Sequence, residues 1–397
     1  MSKLFPRLLV ATEFPPNAPG GGPAVVRQML KEWPVENLYW WSCLPESDRK
    51  FGQVVAGHEI ATIPHNLYPH RRWGRPKSWV LENLWTPWAA KHFARALKTI
   101  QPQMVWVIPH CWSIPPIANV LPGAGIGFHV SIHDYADCGS FVQLFGGGAS
   151  GRLLAAADRL YAASTTRDAI CQAMVDDLQQ RTGRVGNIAR AGLEPADFDF
   201  LQTPPVTKRG PLRIAYPGSI QVDQSFGLFV AALEQIRNRL PREVSLEFFG
   251  NHSYQARPWF NQGWMHEHGN LAAAPLAAEL KQCDWGFSPM AMTDEDPRYN
   301  RFSLPTKFVS YLGAGLPVIS LGHPESSVVK LASAAKVGLC AQTGDVTAMS
   351  GQLLTALSDP DPGTTFRESI LRCARAGFDS RQMRATLYDC FRKCAQG

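Results

Sequence analysis

The stretch NRFSLPTKFVSYLGAGLPVIS, Asn300–Ser320, compresses a loop, a helix and a strand into very little chain. Ser303 is of N-cap type, and Pro305 suits a first helical turn, where its missing N–H costs nothing. Phe308, Tyr311 and Leu312 share one helical face, and Gly313 and Gly315 can end the helix in a left-handed turn. Pro317-Val-Ile-Ser then reads as a buried strand. A helix that opens this sharply leaves bare N–H groups and a partial positive charge at its mouth, beside Thr306 and Lys307. The N–H groups of Leu304 and Thr306, with the Thr306 hydroxyl and the Lys307 ammonium, suit a phosphate or diphosphate. A plain capped helix with Lys307 in solvent accounts for the same residues.

Outward from this segment the chain repeats one rhythm. In the second half, LRIAYPG, VSLEFFG and DWGFSPM read as strands, with helices over Phe226–Leu240 and Ala274–Gln282 and a loop over Met290–Arg301. In the first half, RLLVAT (Arg7–Thr12), QMVWVI (Gln103–Ile108) and GFHVSIHD (Gly127–Asp134) are strands. Helices are expected from about Ala24 to Glu32, Arg152 to Leu160 and Arg167 to Gln180. Apolar strands alternating with helical patterns predict parallel sheets covered on both faces. Between the halves, LQTPPVTKRGP (Leu201–Pro211) has three prolines and no periodicity, which marks a linker. The expectation is an α/β protein with two doubly wound Rossmann-like domains, residues 1–200 and 212–379, and ligands at the carboxyl ends of the strands in a cleft between them.

The totals agree with that reading and exclude others. A chain of 397 residues exceeds one ordinary core, and 45% hydrophobic with 18% charged residues suits a folded protein. No run reaches the roughly 18 apolar residues of a membrane span. The opening MSKLFPRLLVAT is interrupted by Pro6 and Arg7, a poor signal peptide and a good first strand. Nine scattered cysteines without a C-x-x-C pair argue for a reducing, cytoplasmic setting rather than a disulfide framework or zinc site. No metal cluster is expected; the acidic run Thr293–Asp296 reads as solvated loop.

Three further segments carry candidate chemistry. Gly20, Gly21 and Gly22 lie between the first strand and the first helix, where a backbone can approach a ligand closely, although a flexible turn explains them too. They lack both the Walker lysine and G-x-G-x-x-G spacing. His133 and Asp134, in SIHDY, close a first-half strand, where an imidazole beside a carboxylate can orient a sugar hydroxyl or move a proton; a histidine packed beneath a loop is the alternative. Between His70 and Lys98 stand seven Arg or Lys and one Glu, interleaved with tryptophans. Arg71, Arg72 and Trp73 head this segment, which suits an anionic glycolipid, a membrane interface or a sugar chain. Core packing is the alternative for any single ring, and the strand-end features fit nucleic acid badly.

Taken in order, these residues resemble the GT-B glycosyltransferases of the retaining family 4 type. ATEFPPNAPGGGP is similar to that family's glycine loop, SIHDY to its His-Asp strand end, and YAASTTRD to its helix-opening serine segment. RAGLEPADF resembles its short signature before the linker, YPGSI…FGLFVAAL the start of its nucleotide domain, and CDWGFSP with SLPTKFVSYLGAGLPVIS its donor-binding strand, loop and helix. The resemblance implies a GT-B fold whose final helix, residues 380–397, crosses back to the first domain. It implies a UDP- or GDP-linked sugar as donor, with no other cofactor and no metal. Ser219, Gln224, Asn251, Ser303, Leu304, Thr306 and Ser310, with the glycine loop, would line the donor. His133, Asp134 and Lys307 would act in transfer, and Arg71, Arg72 and Trp73 would face a glycan or lipid-linked acceptor.

The sequence departs from the family at named positions. Phe302 and Ser310 stand where the family has two glutamates, and Ser219 and Gln224 where it has phosphate-binding Arg and Lys. Glu295 or Asp296 are the nearest substitute acids, and Lys307 with Arg301 the remaining cations. The leading expectation is a cytoplasmic glycosyltransferase acting with retention, peripheral at the inner face of a membrane where its acceptor is lipid-linked. A catalytically silent GT-B protein that binds a nucleotide sugar or partner is the alternative. An epimerase of similar architecture is a third reading, for which cleft carboxylates are lacking.

Overall fold

The structure, a computed structural model, describes residues 5–18, 20–43, 55–67, 73–204 and 208–396. The chain divides into two units, Met1–Ala191 with Arg381–Gly397 and Gly192–Ser380. The division falls ahead of Leu201–Pro211, the stretch that reads as a linker. The helix Pro195–Gln202 lies in the second unit because Leu193 bridges to Asp379, with Leu193 N–H donating to Phe378 O and Ser380 N–H to Leu193 O. A side chain at Gly192 would collide with Phe378 and Ser380 at 2.9 Å, so this crossing point requires glycine.

The first unit holds seven parallel strands: β1 (Leu8–Thr12), β2 (Leu38–Ser42), β3 (Gly57–Ile60), β4 (Met104–Val107), β5 (Phe128–Ile132), β6 (Thr166–Ala169) and β7 (Asn187–Ile188). Their order is β3-β2-β1-β4-β5-β6-β7. β1, β4 and β5 are buried along their whole length; β1 and β4 accordingly appear in the sequence as nearly unbroken apolar runs, while β5 buries His129 and Ser131 among its apolar residues. Residues from Arg167 were expected to open a helix; instead Thr166–Ala169 forms β6 and the helix runs Gln172–Thr182. Its polar sequence is tolerated because Asp168 is buried against His129 (Asp168 Oδ2 to His129 Nε2, 2.7 Å), whose other nitrogen lies 2.8 Å from Thr166 Oγ1. The final helix, Ser380–Gln396, packs into this unit through Leu387, Tyr388 and Phe391, joining the core of β1, β2 and β4. Arg384 reaches Glu32 at 3.1 Å, and Gly127 admits the Cys394 carbonyl where a Cβ would overlap it.

The second unit holds six parallel strands: β8 (Leu212–Pro217), β9 (Val244–Phe249), β10 (Met265–Glu267), β11 (Trp285–Pro289), β12 (Val318–Leu321) and β13 (Gly338–Ala341). They are ordered β10-β9-β8-β11-β12-β13. Phe226, Phe229, Phe287 and Tyr216 centre its core, with Phe229 and Phe287 stacked at 3.7 Å. The opening segment keeps its helix and strand, but its helix runs Thr306–Gly313 with Pro305 at the N-cap position. Ser303 therefore caps nothing there. It ends a separate helix, Pro297–Phe302, inside the stretch expected to be loop, and its carbonyl accepts from the Ser327 hydroxyl. Gly315, at φ 69°, makes the left-handed exit that was expected.

In each sheet the order of connection reverses once, between β1 and β4 and between β8 and β11. Ligands of such sheets bind outside the strand carboxyl ends at this reversal.

Candidate functional site

In the second unit the reversal is built around one aromatic residue. The Tyr311 hydroxyl lies 3.0 Å from Ala215 O of β8 and 2.8 Å from Phe287 O of β11, which ties the helix Thr306–Gly313 to both strands. Gly286 makes this possible, since a Cβ there would sit 2.3 Å from the Tyr311 ring. The helix is thereby fixed with its first turn beside Tyr216, near the carboxyl end of β8. Lys307 Nζ lies 3.9 Å from the centre of the Tyr216 ring, a cation–π distance, and burial pushes its amine down to about 7. Thr306 is exposed beside it, and Leu304 and Ser303 are partly exposed. A half-desolvated amine that gains its proton when an anion arrives is a suitable phosphate ligand.

The other donor-side residues sit around the same strand ends. After β8, Gly218 takes φ 90°, and the Ser219 carbonyl accepts from the Tyr216 hydroxyl at 2.9 Å. Gln224 is exposed in the first turn of the helix Asp223–Ile236, and Asn251 is exposed just past β9. Ser310 is exposed, with its hydroxyl 3.4 Å from Thr306 O. Two residues considered as substitutes are otherwise engaged: Arg301 pairs with Asp294 at 2.6 Å, and Asp296 caps Pro297–Phe302 by accepting from Tyr299 N–H at 3.2 Å. Glu295 stays exposed.

In the first unit the glycines are not all loop. Gly20 takes φ 108°, which requires glycine, while Gly21 and Gly22 already form the first turn of the helix Gly21–Met29. A Cβ on Gly22 would lie 4.0 Å from His133 Nδ1, so this turn and the end of β5 meet. Burial lowers the affinity of the His133 ring for its proton, leaving a neutral imidazole at neutral pH. Asp134 is exposed next to it. Trp73 is exposed and left-handed (φ 66°) just before a helix; Arg71 and Arg72 lie outside the described residues.

Two polar residues that the sequence reading passed over meet at the β1/β4 reversal. Glu13 follows β1, His110 follows β4, and Glu13 Oε2 lies 2.6 Å from His110 Nδ1. Burial disfavours the imidazolium, but the hydrogen bond and charge of Glu13, with Asp134 behind them, raise His110 above its ordinary value. Cys111, at φ 43°, completes the group; the donor atoms of Glu13, His110 and Cys111 lie within 4.8 Å of one another. Among the described residues, these three form the cluster able to approach a metal ion together. Burial and the neighbouring carboxylate hold the Cys111 thiol well above its ordinary value, which favours a hydrogen-bonded group over a thiolate ligand. The available signal was a titratable residue within three positions of the end of a buried strand, in ATEF and VIPHC.

With this geometry in place, solved structures give the comparison. The chain superposes on sucrose-phosphate synthase from Thermosynechococcus elongatus at TM-score 0.67, with 13% identity and 98% of both chains covered. Trehalose-6-phosphate synthase from Burkholderia multivorans gives 0.64 at 13% identity, covering 99% of this chain and 97% of that one. HepE (Alr3699) from Anabaena, solved with UDP-glucose, gives 0.65 at 13%, covering 97% and 99%. The fold is GT-B, with two Rossmann-like units. No protein-family model matches the sequence, and a search of curated proteins found no match.

Proposed function

We propose that the protein is a glycosyltransferase that takes a sugar from a UDP- or GDP-linked donor and passes it to a glycan or lipid-linked acceptor. The observation that carries this reading is Lys307, a poorly solvated amine stacked on Tyr216 at the mouth of a helix that Tyr311 locks across β8 and β11. A nucleoside diphosphate leaves as an anion. Helix N–H groups and an amine that takes up its proton when the diphosphate binds stabilise the charge that grows on the leaving group, without help from a nucleophile. Neighbours of the same fold were solved with UDP-glucose and with glucose-6-phosphate, which supports a nucleotide-sugar donor and a sugar-bearing acceptor.

In this reading the second unit holds the diphosphate, with Ser219, Gln224, Asn251, Ser303, Leu304, Thr306 and Ser310 around the nucleotide. The first unit supplies Gly20, Gly21, Gly22 and the neutral His133 toward the donor sugar. Asp134 and the Glu13–His110 pair serve the acceptor hydroxyl, and Arg71, Arg72 and Trp73 its more distant part. Transfer with retention, without a metal, belongs to the same proposal, since Lys307 and the helix mouth supply the positive charge at the leaving group. Donor turnover in Lys307→Ala and His133→Ala is the test. Loss of one such electrostatic partner lowers kcat by about 10²-fold, and wild-type rates in both variants would remove the site.

The departures give a second reading its footing. Phe302 and Ser310 carry no carboxylate, and Arg301 is engaged by Asp294. A silent GT-B protein would bind a nucleotide sugar and release nothing across a donor panel, whereas the enzyme would release nucleoside diphosphate.

A further inference from the structure

The first unit carries an apolar surface of which the chemistry above uses Trp73 alone. Seven large hydrophobic side chains are exposed among the described residues, and four of them, Trp73, Trp79, Leu84 and Trp88, lie within one short segment. Trp79, Leu84 and Trp88 are 59%, 62% and 49% exposed. The segment is a continuous helical rod: an α-helix Gly74–Val80, a π-helical turn Leu81–Trp85 and an α-helix Thr86–Ile100. Its inner side is anchored. Gly74 lies so close to the Leu144 carbonyl that a Cβ would overlap it, and Ser78 Oγ donates to Phe145 O at 3.2 Å. Leu81, Trp85, Ala89 and Phe93 are buried.

The π turn decides what faces outward. Five residues of α-helix advance about 500°, which would place Trp79 and Leu84 about 140° apart. A turn closed by i→i+5 hydrogen bonds brings residues five apart back toward one face. From Leu84 the α-helical steps of four, three and four lead to Trp88, Lys91 and Arg95. The result is a stripe with two tryptophans and a leucine in the middle, Arg75 at one end and Lys91 with Arg95 at the other. All six side chains are exposed. The acid of this rod, Glu82, is neutralised by the Arg152 guanidinium through a two-pronged ion pair.

We propose that this stripe docks the protein on an anionic lipid bilayer. Tryptophan favours the headgroup boundary, where an amphipathic ring keeps one side apolar and one wet. Cations flanking an apolar helix face are the pattern of a helix that lies in the interface plane. The basic flank selects an anionic surface over a second copy of this positively charged chain or an apolar protein groove. The inference deepens the lipid-linked arm of the acceptor reading and takes its purpose from it, but its geometry is independent of the donor site.

The test is co-sedimentation of the full chain with phosphatidylcholine vesicles, with and without phosphatidylglycerol. Wild type should pellet with the anionic vesicles only, and less so as salt rises. A Trp79→Ala/Leu84→Ala/Trp88→Ala variant should lose roughly tenfold or more in vesicle affinity, and Lys91→Ala/Arg95→Ala should lose the preference for phosphatidylglycerol. These side chains are exposed, so the variants should keep the wild-type melting temperature and its rise with UDP. Failure of wild type to bind anionic vesicles, or wild-type binding by the triple variant, overturns the proposal. So does salt-independent self-association of wild type that the triple variant abolishes. A rise induced by UDP or GDP without vesicle binding would sink this inference alone, and vesicle binding without a response to either nucleotide would sink the donor reading alone.

Discussion

Lys307 should take up a proton when a nucleoside diphosphate binds. In the free protein, burial holds its amine near 7, against an ordinary value of 10.5. A diphosphate beside it restores the charged form. At pH 8 the free amine is about one-tenth protonated, so binding should draw in about 0.9 proton per site; at pH 6 the uptake should fall to about 0.1. Charging an amine buried in this way costs the fold on the order of a few kcal/mol, at about 1.36 kcal/mol for each pH unit by which burial lowers it. Binding recovers part of this as the desolvated amine gains its counter-charge. The unfolded chain keeps this proton up to about 10.5 and the folded one releases it near 7, so stability should rise with pH across that window. Lys307→Met should therefore stabilise the free protein near pH 7, by an amount that shrinks by about 1.4 kcal/mol per pH unit above it. Calorimetric titration with UDP or GDP in buffers of different ionisation enthalpy measures the uptake directly. An uptake near zero at pH 8 in wild type, or an equal uptake in Lys307→Met, would refute the reasoning.

Three other perturbations follow from packing and charge. The buried His129–Asp168 pair should make His129→Gln cost about 3–5 kcal/mol in urea unfolding, because Asp168 is left buried without its partner. Burial opposes the His129 proton, but Asp168 outweighs it and raises the ring to about 9. The contribution of that proton is thus complete below the ordinary value of 6.5 and is lost as pH rises through about 9; a flat stability difference over that range would contradict it. Gly286→Ala should cost about 1–3 kcal/mol and weaken nucleotide binding, since the new methyl displaces the Tyr311 ring; an unchanged melting temperature would count against the described lock. Glu13→Gln should lower the His110 titration midpoint followed by NMR and move the pH optimum of transfer with it, and an unmoved His110 resonance would separate the pair.

Much of the fold was legible because parallel strands buried on both faces show as unbroken apolar runs. β1 (LLVAT) and β4 (MVWV) did so almost completely, while β5, β8, β9, β11 and β12 are apolar-rich with isolated polar residues, and their alternation with helices predicted the doubly wound sheets. β6 was not, because Thr-Arg-Asp-Ala is a polar string whose strand conformation depends on an ion pair with β5 that no local pattern encodes. The helix at Pro297–Phe302 was hidden behind acids that read as loop and turned out to be a cap and an ion-pair partner. Local signals pointed to Lys307 and Thr306, since capping and glycine placement are read within one turn. They did not point to the Glu13–His110 pair, whose members are far apart in sequence and meet through the strand order alone. Likewise, composition marked the basic tryptophan-rich segment, but not its division. Trp85 went to the core while the π turn brought Trp79, Leu84 and Trp88 outward.

The most direct measurement is a crystal structure of the protein with a UDP- or GDP-linked sugar. The account expects the diphosphate within hydrogen-bonding reach of the Thr306 N–H and Lys307 Nζ, beyond the ends of β8 and β11. A donor bound elsewhere, with Lys307 still stacked on Tyr216 and no anion near it, would contradict the account.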